Sequence, residues 1–535
     1  MAQLTSRFEL AASELPLFSD WVGRTILADE QRQTAIQATP TNLPQVIQKP
    51  QLIYAENIIP AVNGYKSVAF DARSGPVPGS RIVTNIWETQ DTLQRNAIIA
   101  SCSDGTLWLL DEEYPSWLQL NAPAAWNGAP LTFALVSGFS FVFVPGAGLY
   151  ELDGGTRLLV KQTVTGITDT LALGICGSFG YLVFYDSRKI YYSSATNPLD
   201  HVPSISTGAG SGAIQEARGA IRFIKQNSLG LMIYCEKNVV SAQYSQNIRY
   251  PWVFKSVDNS MGVGNADRVS VEDEAGNQYA LSIAGMMALN VKSARQVFPA
   301  VTEFLAAKRI ETYNRTTHTS SFTAVPDGLL TRIKFIGSRW IVVSYGISGY
   351  TQALVYDSSL RRWGKLVIDH VAFVELFIDY GTSPVRCDEI PEFASTLLIP
   401  CDALYIGGPA QDTDSSMLAC IDAGGVLRIA NLEFLEPADS LALFGKFQLT
   451  RRKKCQVQEL EVECVGAADL TATVLSAANG KSVSTITPMY KLEAAGDFVH
   501  FLSADAPEAE NHLVELRGTF HVIGQQVTMT QGGRS

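Results

Sequence analysis

From about Tyr65 onward, short runs of apolar residues alternate with polar ones at a period of two, and Gly or Asp turns separate the runs. Such alternation marks strands of antiparallel meanders, whereas helices repeat at 3.6. One half of a recurring unit reads as a turn followed by a short strand: DGTLWLLD (104–111), GAGLYELD (146–153), DSRKIYYSS (186–194), EKNVVSAQYS (236–245) and AGMMALN (284–290). Its anchors are Gly105, Gly148, Lys189, Asn238 and Gly285, at steps of about 43, 41, 49 and 47 residues. Four-stranded propeller blades have this period. TQALVYDSSLRRWGKL (351–366) and AGGVLRIANLEF (423–434) follow at wider spacing.

Each unit also carries a nearly continuous apolar run, such as SGFSFVFVP (137–145), FGYLVFYD (179–186) and LGLMIYCE (229–236), which reads as a buried inner strand. Radial stacking of such sheets buries both faces of each one and leaves short edges. The expected fold is therefore all-β, a β-propeller of five to seven blades over 61–440. Separate β-sandwiches are the rival architecture.

The flanks differ. Residues 1–60 read as an N-terminal extended arm, with a possible short helix over 13–30 and then a stretch broken by Pro40, Pro44 and Pro50. Residues 441–535 hold about six further strands and an Asn479-Gly480 turn signal, which suits a C-terminal β-sandwich.

Composition adds little to this except by exclusion. The 535 residues are 46% hydrophobic and 17% charged, enough apolar material for a large core and too little charge for a disordered chain. The net charge of −11 opposes stable nucleic-acid binding, which depends on Lys and Arg neutralising phosphates. An acidic wall past which DNA slides is compatible with it. No export signal is visible, and the most apolar stretches are too short to cross a membrane as helices. Cys102, Cys176, Cys235, Cys387, Cys401, Cys420, Cys455 and Cys464 lie far apart without metal-ligand spacing and read as buried thiols.

Candidate chemistry is sparse. The six histidines form no metal or catalytic array, and nucleophile-elbow and P-loop strings are missing, so the expectation is a non-enzymatic protein with no catalytic residues, cofactor or metal. GAGSG (208–212) lacks the strand, helix and lysine of a phosphate cradle and reads as a flexible loop. VEDEAGN (271–277) reads as a solvated hairpin tip, with a surface cation site as the lesser reading. Tyr250, Trp252 and Phe254 alternate in a strand, as core or as a platform for sugar stacking. The basic run Arg451, Arg452, Lys453 and Lys454 reads as a solvated strand end or as a candidate contact with another subunit or partner. A carbohydrate-binding or glycan-degrading propeller is the alternative function. Its hydrolytic form needs paired carboxylates, for which Asp186 and Asp357 are candidates, although turn Asp residues also serve local hydrogen bonding. A propeller scaffold that binds other proteins is a third reading.

Several strings together resemble the tail nozzle or hub proteins of short-tailed bacteriophages, the tail tubular protein B type. They are AENIIPAVNGYKSV (55–68), KIYYSSATNPLDHVP (189–203), EKNVVSAQYSQNIRYPWVFKSVDNSMGVGNADRVS (236–270) and ALVYDSSLRRWGKL (353–366). The resemblance implies a structural virion protein, made and assembled in the host cytoplasm and resident in the tail. It implies a ring, commonly a homohexamer, around the DNA ejection channel. The implied partners are a tail adaptor or head-to-tail connector above, fibres or spikes at the side, and genomic DNA that passes without specific binding. In that family, segments outside the propeller pack together as a platform.

Overall fold

The computed structural model describes residues 3–9, 51–61, 64–111, 116–124, 126, 128–376, 417–431, 439–447, 454–464, 469–477, 485–492, 498–503 and 506–531. The chain is nearly all β. Among the described residues, six separate four-stranded antiparallel sheets form, and a further group of four strands makes one end of an eleven-stranded sheet. In chain order the first sheet spans 83–120, the second 132–161, the third 174–213, the fourth 221–256 and the fifth 269–296. The sixth spans 330–370 within the eleven-stranded sheet. The seventh combines Ala372–Leu376, Met417–Ile421 and Leu427–Asn431 with Ala69–Ala72 from far upstream.

All five anchor residues sit at or just before the third strand of a sheet: Leu107–Asp111, Gly148–Asp153, Lys189–Tyr192, Val239–Tyr244 and Gly285–Leu289. The runs expected to be buried inner strands occupy the second position of each sheet, between two neighbours. A second strand is flanked on both edges and covered on both faces, hence the unbroken burial of Tyr181–Tyr185 and Gly230–Cys235. The first strands, such as Val83–Gln90 and Ile221–Asn227, are less hydrophobic and touch their counterparts in neighbouring sheets.

Apolar cores join each sheet to the next. Leu109 packs with Val142, Phe143 with Phe184, and Val183 with Ile233 and Ala280. Met286 packs with Val343, and Val342 with Phe373. One more cluster joins the seventh sheet to the first through Val374, Ile421, Ile98 and Trp108. The hydrophobic effect on these shared faces is what holds the sheets side by side.

The remaining strands form two sheets that share one core. Gln51–Glu56, Ser440–Phe447, Asn511–Thr519, Asp469–Ala477 and Thr485–Pro488 make one sheet. The other continues the sixth sheet through Ile58–Pro60 and Tyr65–Ser67 into His521–Gln531, Cys455–Cys464, Phe498–Leu502 and Tyr490–Lys491, with Gln3–Glu9 added along His521–Gln531. Phe444, Val474 and Leu516 face Val462, Phe501 and Val527 across the interior. Strands from 51–67 thus pair with C-terminal ones, and the run crosses the expected boundary at residue 60. The possible helix over 13–30 and the Asn479-Gly480 turn lie outside the described residues.

Between the fifth and sixth sheets the chain inserts a helix, Pro299–Ala306, and a hairpin of Arg309–Asn314 and Thr319–Ala324. The hairpin carries buried polar groups toward the C-terminal sheets.

Candidate functional site

Two polar clusters stand out against this apolar frame. The first lies where the first strands converge. Arg332 and Lys334 project from Leu330–Ile336, Lys225 from Ile221–Asn227, Glu88 from Val83–Gln90 and Glu375 from Ala372–Leu376, while Asp267 sits in a short helical turn before Val269. Arg332 donates to the Ile86 carbonyl at 2.9 Å and lies 3.8 Å from Asp267. Lys334 pairs with Glu88, and Glu375 accepts from the Gly337 amide at 2.9 Å. Burial raises the Glu375 carboxyl above its usual range, with Lys334 opposing. Burial likewise lowers the Lys225 ammonium, with Asp267 opposing and Lys334 and Arg332 adding to the effect.

Both Arg332 and Lys334 reach from the sixth sheet to the first, past the first strand of the seventh. Their side chains therefore occupy the space around the point of convergence. The cluster balances cations against carboxylates and spends its donors on backbone carbonyls and ion pairs, so it stitches strands together.

The second cluster joins the inserted hairpin to the C-terminal sheets. Arg315 donates to Glu56 from Nη2 at 2.7 Å and from Nε at 3.1 Å, and also pairs with Asp439. Tyr54 donates its phenol to Glu56 at 2.8 Å and stacks on Tyr313 with ring centroids 5.3 Å apart. Tyr313 and Arg517 both donate to the buried Glu515, which lies 2.9 Å from His318 Nδ1. Lys365, buried beneath, sits 4.2 Å from the Tyr54 ring centroid. Burial lowers its ammonium pKa while Glu311 and Glu56 oppose. Long-range pairing of this kind leaves no local sequence signal, because Glu56, Arg315 and Glu515 are far apart in the chain.

The sequence candidates fall elsewhere. Asp186 caps a turn, accepting from the Arg188 and Lys189 amides at 2.6 and 2.8 Å and from Tyr191 at 2.9 Å. Burial would raise its pKa, but these bonds outweigh burial and hold it below the usual range. Asp357 caps another turn through Ser359 and Leu360 and accepts from Arg339 at 2.8 Å. The two carboxylates belong to the third and sixth sheets, and the structure does not bring them together.

GAGSG is corrected. Gly210–Ala213 is the fourth strand of the third sheet, paired with Lys189–Tyr192. Glycine suits the close approach there, since a Cβ on Gly210 would meet the Tyr192 hydroxyl at 2.9 Å. VEDEAGN forms the tip between Val269–Glu272 and Gln278–Ser282, closed by Asp273 and Asn277. Trp252 is buried against Tyr181, at 5.8 Å, and Tyr244, whereas Tyr250 is 74% exposed. Arg451, Arg452 and Lys453 lie outside the described residues, and Lys454 is exposed. Cys387 and Cys401 also lie outside; Cys102, Cys176, Cys235, Cys420, Cys455 and Cys464 are buried free thiols. Burial pushes Cys176, Cys235 and Cys420 up to about 12. Among the described residues, no group of three or more His, Cys, Asp and Glu side chains is placed to hold a metal, and no helix is long and apolar enough to cross a membrane.

The fold and these clusters define an all-β protein of blade-like sheets joined by polar stitching. No family model matches the chain, and no curated protein matches it. Among solved structures, YCF48 bound to D1 peptide is similar over 55% of this chain and 83% of that one, at 10% identity and a TM-score of 0.33.

Proposed function

We propose that this chain is a structural subunit of a short-tailed phage tail, of the nozzle or hub type. In this reading the seven four-stranded units close into a β-propeller, and the two C-terminal sheets form a β-sandwich that serves as a platform. The observation that carries the proposal is the pairing of strands from both flanks of the propeller. Gln51–Glu56 pairs with Ser440–Phe447, and Tyr65–Ser67 with His521–Gln531. A platform made of segments outside the propeller is what the family resemblance leads one to expect.

The first polar cluster bears on where DNA would pass in this reading. Arg332 and Lys334 reach from the first strand of the sixth sheet to that of the first, which argues against the propeller axis as a conduit. A channel belongs between copies arranged head to tail around a closed ring, commonly six in the resembled family. The chain's net charge of −11 favours a wall that neither captures nor stalls DNA. The ring would join an adaptor above and fibres or spikes at the side, with the basic run ending at Lys454 as a candidate contact.

Negative-stain microscopy of the purified protein, with mass spectrometry of purified virions, tests this reading. Rings and presence in the tail are expected. A strictly monomeric protein missing from virions overturns it.

One observation favours a second reading, a carbohydrate-binding surface. A shallow cavity of about 210 Å³ is lined by Tyr192, Ser204, Gly208 and Arg249, beside the exposed Tyr250. Nearby, the buried Thr207 Oγ1 and Trp252 Nε1 make no hydrogen bond. A glycan array decides between the two: binding lost on Tyr250→Ala and Arg249→Ala supports the second reading, and no binding removes it.

A further inference from the structure

We propose that the shallow cavity between the third and fourth sheets takes a sugar unit that carries an anionic group, with Arg249 as the residue that reads the charge. The inference rests on the carbohydrate-binding reading above and names the ligand class for that site.

Two loops in equivalent positions build the cavity. The loop 193–209 joins the third and fourth strands of the third sheet, and the loop 245–251 joins those of the fourth. They meet where Gly208 passes Ile248. A Cβ on Gly208 would lie 2.8 Å from the Ile248 carbonyl oxygen, and its φ of +75° is one that glycine adopts without strain. Arg249 follows Ile248 directly and lines the cavity together with Gly208.

The second loop is held in shape by its own hydrogen bonds. The Ser245 amide donates to the Pro251 carbonyl at 2.9 Å, and the Tyr250 amide to the Asn247 carbonyl at 3.1 Å. The Asn247 side chain accepts from the Arg249 amide at 3.0 Å, and the Ser245 hydroxyl from the Asn247 amide at 3.1 Å. None of these bonds uses the side chain of Arg249 or Tyr250, and both residues are exposed. Among the described residues, the Arg249 guanidinium has neither a hydrogen bond nor an ion pair. A loop ordered in advance lowers the entropy lost when a ligand is bound.

The charge of the site sets the ligand class. Among the described residues that line the cavity, Arg249 is the one charged group, although the chain as a whole carries −11. Asp200, the acid nearest in sequence to Pro203, is engaged elsewhere: it accepts from the Thr165 hydroxyl at 3.2 Å and the Val202 amide at 3.0 Å. An unopposed guanidinium presents a planar fork of donors that fits a carboxylate or a sulfate. Pro203 and Ile205 add apolar surface, the Tyr192 ring is set edge-on against Tyr181, and Ser204 offers a hydroxyl. That mixture of apolar wall and few polar groups suits a sugar ring, which has an apolar face and a rim of hydroxyls. The net negative charge of the chain repels a long polyanion, so recognition is confined to one anionic unit at Arg249.

A glycan array of matched sugars, probed with the purified full chain, tests this. It pairs glucose with glucuronate oligomers, galactose with galacturonate oligomers, and lactose with sialyllactose and sulfolactose. An anionic member should bind about tenfold or more tighter than its neutral counterpart, the usual worth of a hydrogen bond to a charged group, and the difference should shrink as salt is raised. Arg249→Gln should bring the anionic member down to the level of the neutral one, whereas Tyr250→Ala should weaken both alike. Because both residues are exposed, thermal melts of the two variants should match the parent. A preference for carboxylated or for sulfated members alone supports the inference and identifies the anion. Equal binding within every pair, or a preference that survives Arg249→Gln, overturns the inference and leaves the carbohydrate reading standing. No binding to any member removes both.

Discussion

Arg315 Nη2 lies 2.7 Å from Glu56 Oε2, and this contact fastens the hairpin inserted between the fifth and sixth sheets to a strand of the C-terminal pair. Glu56 is buried and accepts from Tyr54, and Arg315 is the cation that hydrogen-bonds it, with Lys365 adding a weaker charge interaction. Removing one member of a buried pair leaves the other uncompensated, at about 3–5 kcal/mol when both are fully enclosed. Arg315 is partly exposed, so Arg315→Ala should cost about 2–3 kcal/mol. Urea unfolding measures this. Glu56→Gln together with Arg315→Met should recover part of the loss, and an unchanged midpoint for Arg315→Ala would show that the clasp contributes nothing.

The link between Lys334 and Glu88 should behave as a local lock on the seventh sheet. It joins the sheets on either side, and Glu88 also accepts from the Glu375 amide. Lys334→Ala and Glu88→Ala are expected to be non-additive, with a coupling of about 1–2 kcal/mol in a double-mutant cycle. Amide exchange should quicken first in Ala372–Leu376. Strict additivity, or uniform loss of protection across all sheets, would count against the lock.

Acid should destabilise the fold through its buried histidines. Burial pushes His370 to about 4, with Arg332 adding to the effect and a hydrogen bond to the Ile368 carbonyl opposing it. His201 is likewise pushed to about 4 by burial. Each folded pKa lies below the unfolded value near 6.5, so the unfolded chain binds more protons between the two. Stability is therefore fully present above about pH 6.5 and falls as pH drops toward 4. A shift of this size corresponds to roughly 3 kcal/mol for His370. Thermal melts from pH 7 to pH 4 should show a shallower decline for His370→Gln than for the parent; parallel curves would refute the assignment.

The repeat is readable because each sheet places its second and third strands in a local hairpin. Phe179 to Ser194 and Leu229 to Ser245 each hold both strands and their turn within a short stretch of sequence. What stays hidden is non-local. The first strands carry charged residues such as Arg332 and Lys334 that reach across to another sheet, so they lack the unbroken apolar pattern of Tyr181–Tyr185. Ala69–Ala72 gives no sign of joining Leu427–Asn431, because its partner lies at the far end of the chain. Gly210–Ala213 escapes for a simpler reason: glycines that pair through the backbone alone resemble a loop when only side chains are considered.

The glycine anchors should differ sharply in their tolerance of substitution, although the sequence presents them as equivalent. Gly148 has φ +94° and Gly285 φ +111°, backbone conformations that strain an L-residue. Both also face close neighbours. A Cβ on Gly148 would lie 2.2 Å from Asp169 Oδ2, and one on Gly285 would lie 2.2 Å from Thr302 Oγ1 on the inserted helix. Those contacts matter to the turns, since Asp169 accepts from the Leu149 amide at 3.0 Å and Thr302 from the Met286 amide at 3.2 Å. A methyl group would therefore displace the group that holds each third strand in place, adding steric cost to conformational strain. Gly105 has φ +79°, and a Cβ there would meet nothing within 4 Å, so only the conformational cost applies. Gly148→Ala and Gly285→Ala should each destabilise by about 2–3 kcal/mol, and Gly105→Ala by about 1 kcal/mol. Gly105→Asn should be milder still, because Asn tolerates the left-handed region. Denaturant midpoints for the four variants give the ranking. Equal losses at all three positions would mean that backbone strain alone sets the cost and that the Asp169 and Thr302 contacts are incidental.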